Sequence, residues 1–250
     1  MSTPLAPTTL AIDIGGTHLK CSVLDATGAM IAPRRSVPTP HPCPPATLLA
    51  TLATLVAPLP RAERISVGFP GMVRAGRVLT APHLGTSDWA GYPLEHAIAT
   101  RFGLPARLLN DADMQGLGAI GGVGLEFVLT LGTGAGTALF RDGELMPHLE
   151  LAHHPVHGAM TYDQYIGAAA LRAVGVRHWN RRVRRVLALI DVLLLPDAII
   201  IGGGNNARLV GELPPKVRLV SNDAGITGGV AAWSLSLERF QPDRVRPNPL

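Results

Sequence analysis

The chain has 250 residues, 47% of them apolar and 16% charged, with a net charge of +4 at neutral pH. That balance fits one large globular domain or two small lobes and excludes a disordered or fibrous chain. Two cysteines, Cys21 and Cys43, with no Cys-x-x-Cys pair, exclude a thiolate zinc site.

Met1 to Thr9 lacks a basic flank followed by an apolar run, so no secretory leader is expected and the two cysteines are expected as reduced thiols of a cytoplasmic protein. The longest apolar helical stretch, Val186 to Leu195, is interrupted by Asp191 and is too short to span a bilayer. Thr9 to Ile14 and Leu19 to Leu24 predict strands around a glycine turn, with a third strand at Ala29 to Ile31 after Asp25-Ala-Thr-Gly28. Residues 38–45 hold five prolines and predict a loop, followed by a helix over Thr47 to Val56. A strand at Arg64 to Phe69 ends in Pro70-Gly71, Tyr92 to Phe102 predicts a helix, Ala106 to Leu109 a strand and Asp111 to Ile120 a helix. Glu126 to Leu131 and Thr137 to Arg141 predict strands around Gly132-Thr-Gly-Ala-Gly136, and Asp142-Gly143 is a hairpin signal. Two helices, about Tyr162 to Val174 and Arg177 to Leu194, precede a buried strand at Asp197 to Ile201 that runs into Gly202-Gly-Gly204. Strands with glycine turns, then alternating helices and strands, occur twice. This predicts an α/β protein of two lobes with a central cleft, 1–109 and 110–250, the last helix packing back on the first lobe.

Three strands thus end in glycine clusters: Gly15-Gly16, Gly132 to Gly136 and Gly202 to Gly204. Such turns let backbone N–H groups approach an anion without Cβ interference, and three together favour a nucleotide or polyphosphate site over ordinary turns. No Gly-Lys-Ser/Thr and no helix-opening Gly-x-Gly-x-x-Gly occurs, which counts against the common NTPase and dinucleotide folds. Asp13 and Thr17 flank the first cluster. An acidic group beside a phosphate nest can hold Mg²⁺ through water, or can simply cap the turn. Asn110-Asp111 ends one strand and opens a helix. Local chemistry leaves a cap and a general base evenly matched there.

Several segments, in order, resemble the ROK sugar-kinase family, and within it the polyphosphate-using branch. They are Leu10-Ala-Ile-Asp-Ile-Gly-Gly-Thr-His-Leu-Lys20, Gly68-Phe-Pro-Gly-Met-Val73, Leu109-Asn-Asp-Ala-Asp113, Leu129-Thr-Leu-Gly-Thr-Gly-Ala-Gly-Thr-Ala-Leu-Phe140 and Asp197 to Gly204. The resemblance implies the actin-like ATPase (ribonuclease H-like) fold and phosphoryl transfer from ATP and/or inorganic polyphosphate to the 6-hydroxyl of glucose or mannose. It implies Asp111 as the base, and Asn110, Asp111, Glu150, His153 and Asp163 as sugar contacts. Asp13, Gly15, Gly16, Thr17, Lys20, Gly132, Thr133 and Gly134 would meet phosphate, Gly202, Gly203 and Gly204 the nucleotide, and Asp13 would hold Mg²⁺ through water. The sequence departs from the family pattern at Ala152, where a glycine is usual, at Asp163, where a glutamate is usual, and in lacking the cysteine-rich zinc motif.

The alternative is a catalytically weak sugar sensor of the same fold. The resemblance starts at about Thr9, so the N-terminal DNA-binding helices of the family's repressors are not expected here. A nucleic-acid partner is suggested only by Arg177-His-Trp-Asn-Arg-Arg-Val-Arg-Arg185, where a solvated helix face or polyphosphate contact is the favoured account. Arg177, Arg181, Arg184 and Arg185 fall near one face at helical spacing. No nucleic acid and no membrane are expected as partners, and a symmetric homodimer is.

Overall fold

A computed structural model describes residues 7–221 and 223–236. The leader expectation for Met1 to Thr9 lies mostly outside them. Among the described residues no helix is long and apolar enough to cross a membrane.

The first half contains β1 (Thr9–Ile14), β2 (His18–Leu24), β3 (Arg35–Pro38), α1 (Pro45–Val56), β4 (Arg64–Phe69), a small β5–β6 hairpin (Val73–Arg74, Arg77–Val78), α2 (Leu94–Phe102) and β7 (Ala106–Asn110). Its sheet runs β3-β2-β1-β4-β7, with β2 antiparallel to β1 and to β3, and β1, β4 and β7 parallel. The second half contains α3 (Asp111–Leu117), β8 (Leu125–Leu131), β9 (Ala135–Arg141), β10 (Glu144–Leu145), β11 (Pro155–His157), β12 (Met160–Thr161), α4 (Tyr162–Ile166), α5 (Ala168–Leu194), β13 (Ala198–Gly202), β14 (Val217–Leu219) and α6 (Ala224–Thr227). Its sheet, β10-β9-β8-β13-β14, repeats the plan: an antiparallel hairpin, then parallel crossovers.

Local chemistry sets the element ends. Pro45 opens α1, where its fixed φ suits the first helical position and no N–H is needed. Gly103, at φ 66°, closes α2 in the left-handed region. Asp142 and Gly143 take φ of 50° and 81°, the turn their sequence predicts. The expected break between the two long helices falls at Gly175, whose φ of 73° interrupts α5, while Gly167 separates α4 from α5. The strand expected at Ala29 to Ile31 is corrected: Met30 makes a single bridge to Leu24, and the third strand is Arg35–Pro38. Pro33 has no N–H to continue a ladder, so pairing resumes two residues later.

Each sheet is buried on both faces. On β8, Phe127, Leu129 and Leu131 pack with Trp179, Val183, Val186 and Ile190 of α5, whereas Val128 points the other way, toward Met114 and Phe140. On β1, Leu10, Ile12 and Ile14 join Leu48, Leu52 and Leu55 of α1, while Ala11 faces Ile226 of α6. Side-chain alternation along a strand dictates this split. Each fully buried large aliphatic residue contributes about 1.5–3 kcal/mol. The inner faces meet a middle layer of α3 and α6, which pack against each other, α3 touching both sheets and α6 touching β1 and β2. Beyond α6, Trp233 donates from Nε1 to Ser66 Oγ at 2.9 Å, and its ring takes the guanidinium groups of Arg64 and Arg107 at 5.1 and 4.6 Å. The C-terminal part of the described chain is therefore fastened to the first sheet.

Candidate active site

The parallel strands of both sheets end at one cleft, a cavity of about 350 Å³. This size and position suit a small polar ligand. From the first sheet come Asp13, Gly15, Gly16, Thr17 and Lys20. The second sheet contributes Gly132, Thr133, Gly134, Gly203 and Gly204, and between them stand Asn110, Asp111, Glu150, His153 and Asp163. Gly202, expected in the third loop, is not part of the lining, and a Cβ there would run into the Gln115 side chain. It holds the strand end against α3 while Gly203 and Gly204 face the cavity.

The glycine loops touch one another. Thr17 Oγ1 and Thr133 Oγ1 lie 2.9 Å apart across the cleft, and Asn205 Nδ2 donates to Gly132 O at 2.9 Å. Gly203 has a φ of 83°, and a Cβ there would press on the Leu131 backbone, so only glycine lets the third loop lie on the second. Lys20 Nζ donates to Asp13 Oδ2 at 2.8 Å. One wall of the cleft thus carries a cation and a carboxylate side by side.

Asn110 is a helix cap. Its Oδ1 accepts from Ala112 N at 2.8 Å and Asp113 N at 3.3 Å, and its Nδ2 donates to Gly71 O at 3.1 Å. Capping fixes where α3 starts, and so places Asp111, the first helical residue, at the cavity floor. Burial raises the Asp111 pKa to about 7, helped by the charges of Asp13, Asp113 and Glu150 and opposed by the Ala112 N–H. A carboxylate poised near neutrality in a cleft of glycine loops can accept a hydroxyl proton.

Asp163 sits in the first turn of α4, which a capping box of Thr161 and Gln164 starts. Its Oδ1 accepts from Ala135 N at 2.7 Å, and its Oδ2 lies 3.2 Å from His83 Nε2. That contact raises the His83 pKa against the pull of burial. Sequence reasoning passed over His83, because nothing in Ala81-Pro-His83 marks it. It also passed over His148, which lies between Asp113 and Glu150, with Nδ1 3.1 Å from Asp113 Oδ1 and Nε2 3.6 Å from Glu150 Oε2. Ala152, where the resemblance expects glycine, needs no left-handed backbone. Among the described residues, positive φ outside glycine occurs at Ala75, Asp142 and Leu195.

A model of the ROK family matches residues 9–168. The chain belongs to the ROK family. It is 32% identical over 237 residues to a polyphosphate glucokinase of Mycobacterium leprae, covering 88% of this chain and 73% of that protein. An inorganic polyphosphate/ATP-glucomannokinase from Arthrobacter sp. strain KM superimposes with a TM-score of 0.82 at 30% identity, over 92% of this chain and 98% of that one. A ROK family glucokinase from Streptomyces griseus, solved with glucose and AMPPNP, has a TM-score of 0.73 at 21% identity, over 90% and 98%, and shows the shared fold. The two lobes of this ROK protein therefore form the actin-like ATPase fold.

Proposed function

We propose that the protein is a hexokinase-type phosphotransferase that moves a phosphoryl group from ATP and/or inorganic polyphosphate to the 6-hydroxyl of glucose or mannose. The observation that carries this reading is Asp111, raised to about 7 at the floor of a cleft walled by glycine loops from both sheets. The likeness to the mycobacterial and Arthrobacter enzymes supports the sugar and both donors.

In this reading Asp111 accepts the proton of the sugar hydroxyl as that oxygen attacks the terminal phosphorus and the bond from this phosphorus to the donor's bridging oxygen breaks, releasing ADP or the shortened polyphosphate. Asn110, Glu150, His153 and Asp163 would hold the other hydroxyls. Asn110 can do so only with what its cap leaves over, and Asp163 with oxygens already facing Ala135 and His83. The N–H groups of Gly15 and Gly132 are already given to His18 O and Gly134 O, so those of Gly16, Thr133 and Gly134 would cradle donor phosphates, with the Thr17, Thr133 and Lys20 side chains beside them, and Gly203-Gly204 would border the nucleotide. The purified protein should consume donor only when hexose is present. A matrix of ATP and polyphosphate against glucose and mannose tests this, and donor use independent of sugar, or none at all, would overturn it. The sensor alternative loses one support, since Ala152 does not take the left-handed backbone that favours glycine.

Among the described residues no three His, Cys, Asp or Glu side chains gather into a protein cage for a metal. Magnesium does not need one, because it keeps several waters and takes one or two carboxylates together with substrate phosphates. Asp13 fits that role. Lys20 donates to its Oδ2, and the carboxylate would hold the ion through water. The metal would supply charge neutralisation on the donor oxygens. Excess chelator should abolish turnover, and Asp13→Ala should lower it by a factor of about 100 or more. Full activity of either in a coupled assay would refute the assignment.

Polyphosphate use would draw on α5. Arg177, Arg181 and Arg185 are exposed there. Arg184 leaves the expected stripe, since it donates to Val210 O at 2.6 Å, and Arg182 lies over the Tyr165 ring at 4.9 Å. Replacing the three exposed arginines with glutamine should cut polyphosphate-driven turnover several-fold at low salt and spare ATP-driven turnover. Equal loss with both donors would make the stripe a solvated face. The same reading makes the protein a cytoplasmic homodimer acting on small molecules and not on nucleic acid. Light scattering on the purified protein tests the dimer.

A further inference from the structure

Asp113 and His148 come from different elements, the first turn of α3 and the irregular segment after β10. Asp111 and Asp113 are two positions apart on α3, so their side chains leave the helix in different directions. Asp111 turns to the cleft and Asp113 turns inward, where it is 4% exposed. Both its oxygens face His148 Nδ1, at 3.1 and 3.2 Å. The segment that brings His148 there is pinned by Thr137 Oγ1, which donates to Leu149 O at 2.6 Å.

The other ring nitrogen is the unusual one. His148 Nε2 is buried and has no hydrogen-bond partner. It points at Glu150 Oε2, which at 3.6 Å is inside ion-pair range and beyond hydrogen-bond range. A buried polar atom left in that condition calls for an account. Glu150 is on the cavity wall and partly open to it, so its carboxylate can turn while the buried ring cannot. The groups facing His148 are thus the two carboxylates, Asp113 on one side and Glu150 on the other.

We propose that His148 is a positioning residue for the sugar site: anchored through Nδ1 by Asp113, it donates from Nε2 to Glu150 and sets that carboxylate to accept sugar hydroxyls. The proposal rests on the reading of Glu150 as a sugar contact. Burial of the ring opposes its charge, but the two carboxylates outweigh it and raise the His148 pKa to about 10, so both nitrogens carry protons at neutral pH. Glu150 and Asp113 each add to the repulsion on Asp111. The His148 ring stands between those two carboxylates. With sugar bound, closing 3.6 Å to a charge-assisted hydrogen bond would tie substrate binding to a side chain the substrate never touches.

The test is a double-substitution cycle on the full chain, read as glucose affinity by calorimetry without donor. His148→Gln keeps a neutral donor near Nε2 and loses the charge. It should weaken glucose binding about tenfold and raise the glucose KM in step, with kcat and the donor KM little changed. Glu150→Gln should weaken glucose binding at least as much. In the Glu150→Gln background, His148→Gln should add almost nothing. Equal effects of His148→Gln in both backgrounds, or no effect in either, would overturn the proposal and leave the sugar reading intact. Unchanged glucose affinity in Glu150→Gln would overturn both. If His148→Gln does not fold, the unsubstituted ring still decides the matter by NMR. The His148 Nε2–H resonance should move when glucose is added to wild type and not in Glu150→Gln, and a resonance indifferent to glucose in wild type sinks the idea.

Discussion

Asp111→Asn should lose about 10²–10⁴-fold in turnover while still binding glucose, because the amide keeps size and hydrogen bonding but accepts no proton. Turnover near that of wild type would remove Asp111 from the reaction. The wild-type pH profile gives a second check. Asp111 is raised to about 7 by burial first, then by Asp13, Asp113 and Glu150. The base works only when deprotonated, so kcat/KM at low pH should climb with pH and level off above about 7. The same shift has a cost in stability. The folded state holds the Asp111 proton more tightly than the unfolded chain does. The stability contributed is therefore full below the unfolded value and is lost as pH rises through about 7. Above that, the wild type keeps a carboxylate where the fold prefers a neutral group. Asp111→Asn should accordingly be more stable than wild type at pH 8, on the order of 1–3 kcal/mol after allowing for solvent in the cleft. The advantage should vanish near pH 4. Thermal unfolding at both pH values tests it, and a variant less stable at pH 8 would contradict the placement.

Gly228→Ala should be the most damaging single methyl group for the fold. A Cβ at Gly228 would overlap Met114 O, and would lie 2.8 Å from Gly118 N and 3.1 Å from Ala224 O. All three are backbone atoms of α3, α6 or their ends, so none can swing aside. Relief requires the two middle helices to part. We expect a loss of about 3 kcal/mol or more, a fall of roughly 10 °C in Tm for a chain of this size. Turnover should drop as well, because α3 carries Asp111. Gly204→Ala is the contrast: nothing lies within 4 Å of its Cβ position, and its Tm should be unchanged. Equal Tm values for the two variants would refute the close approach of α3 and α6.

The strands and loops that build the cleft were legible because their chemistry is local. Apolar runs ending in Gly15-Gly16, Gly132 to Gly136 and Gly202 to Gly204 announce strand ends wherever they occur, and Asn110 caps whichever helix follows it. What escaped depends on partners distant in sequence. Asp113 and His148 are 35 positions apart and become a pair only when α3 lies beneath the segment after β10. His83 gains meaning from Asp163, across the cleft. The displaced third strand and the diversion of Arg184 to Val210 have the same origin: spacing gives a direction, and tertiary packing supplies what stands there.

The middle layer has a mechanical consequence. The chain passes from the first sheet to the second at Asn110-Asp111 and returns at α6, so two neighbouring helices join the lobes. A body held at two points swings about the line through them and resists other rotations. Asp111 stands at the first of those joints, where β7 gives way to α3. Asp111 thus belongs to a joint, while the Gly15-Gly16 and Gly132 to Gly136 loops, in touch through Thr17 and Thr133, belong one to each sheet. Parting that hydroxyl contact would separate the two loops and would require no change at the Asn110-Asp111 joint. The group that must be aimed most accurately is thus carried by a connection between the lobes and not by either rim loop.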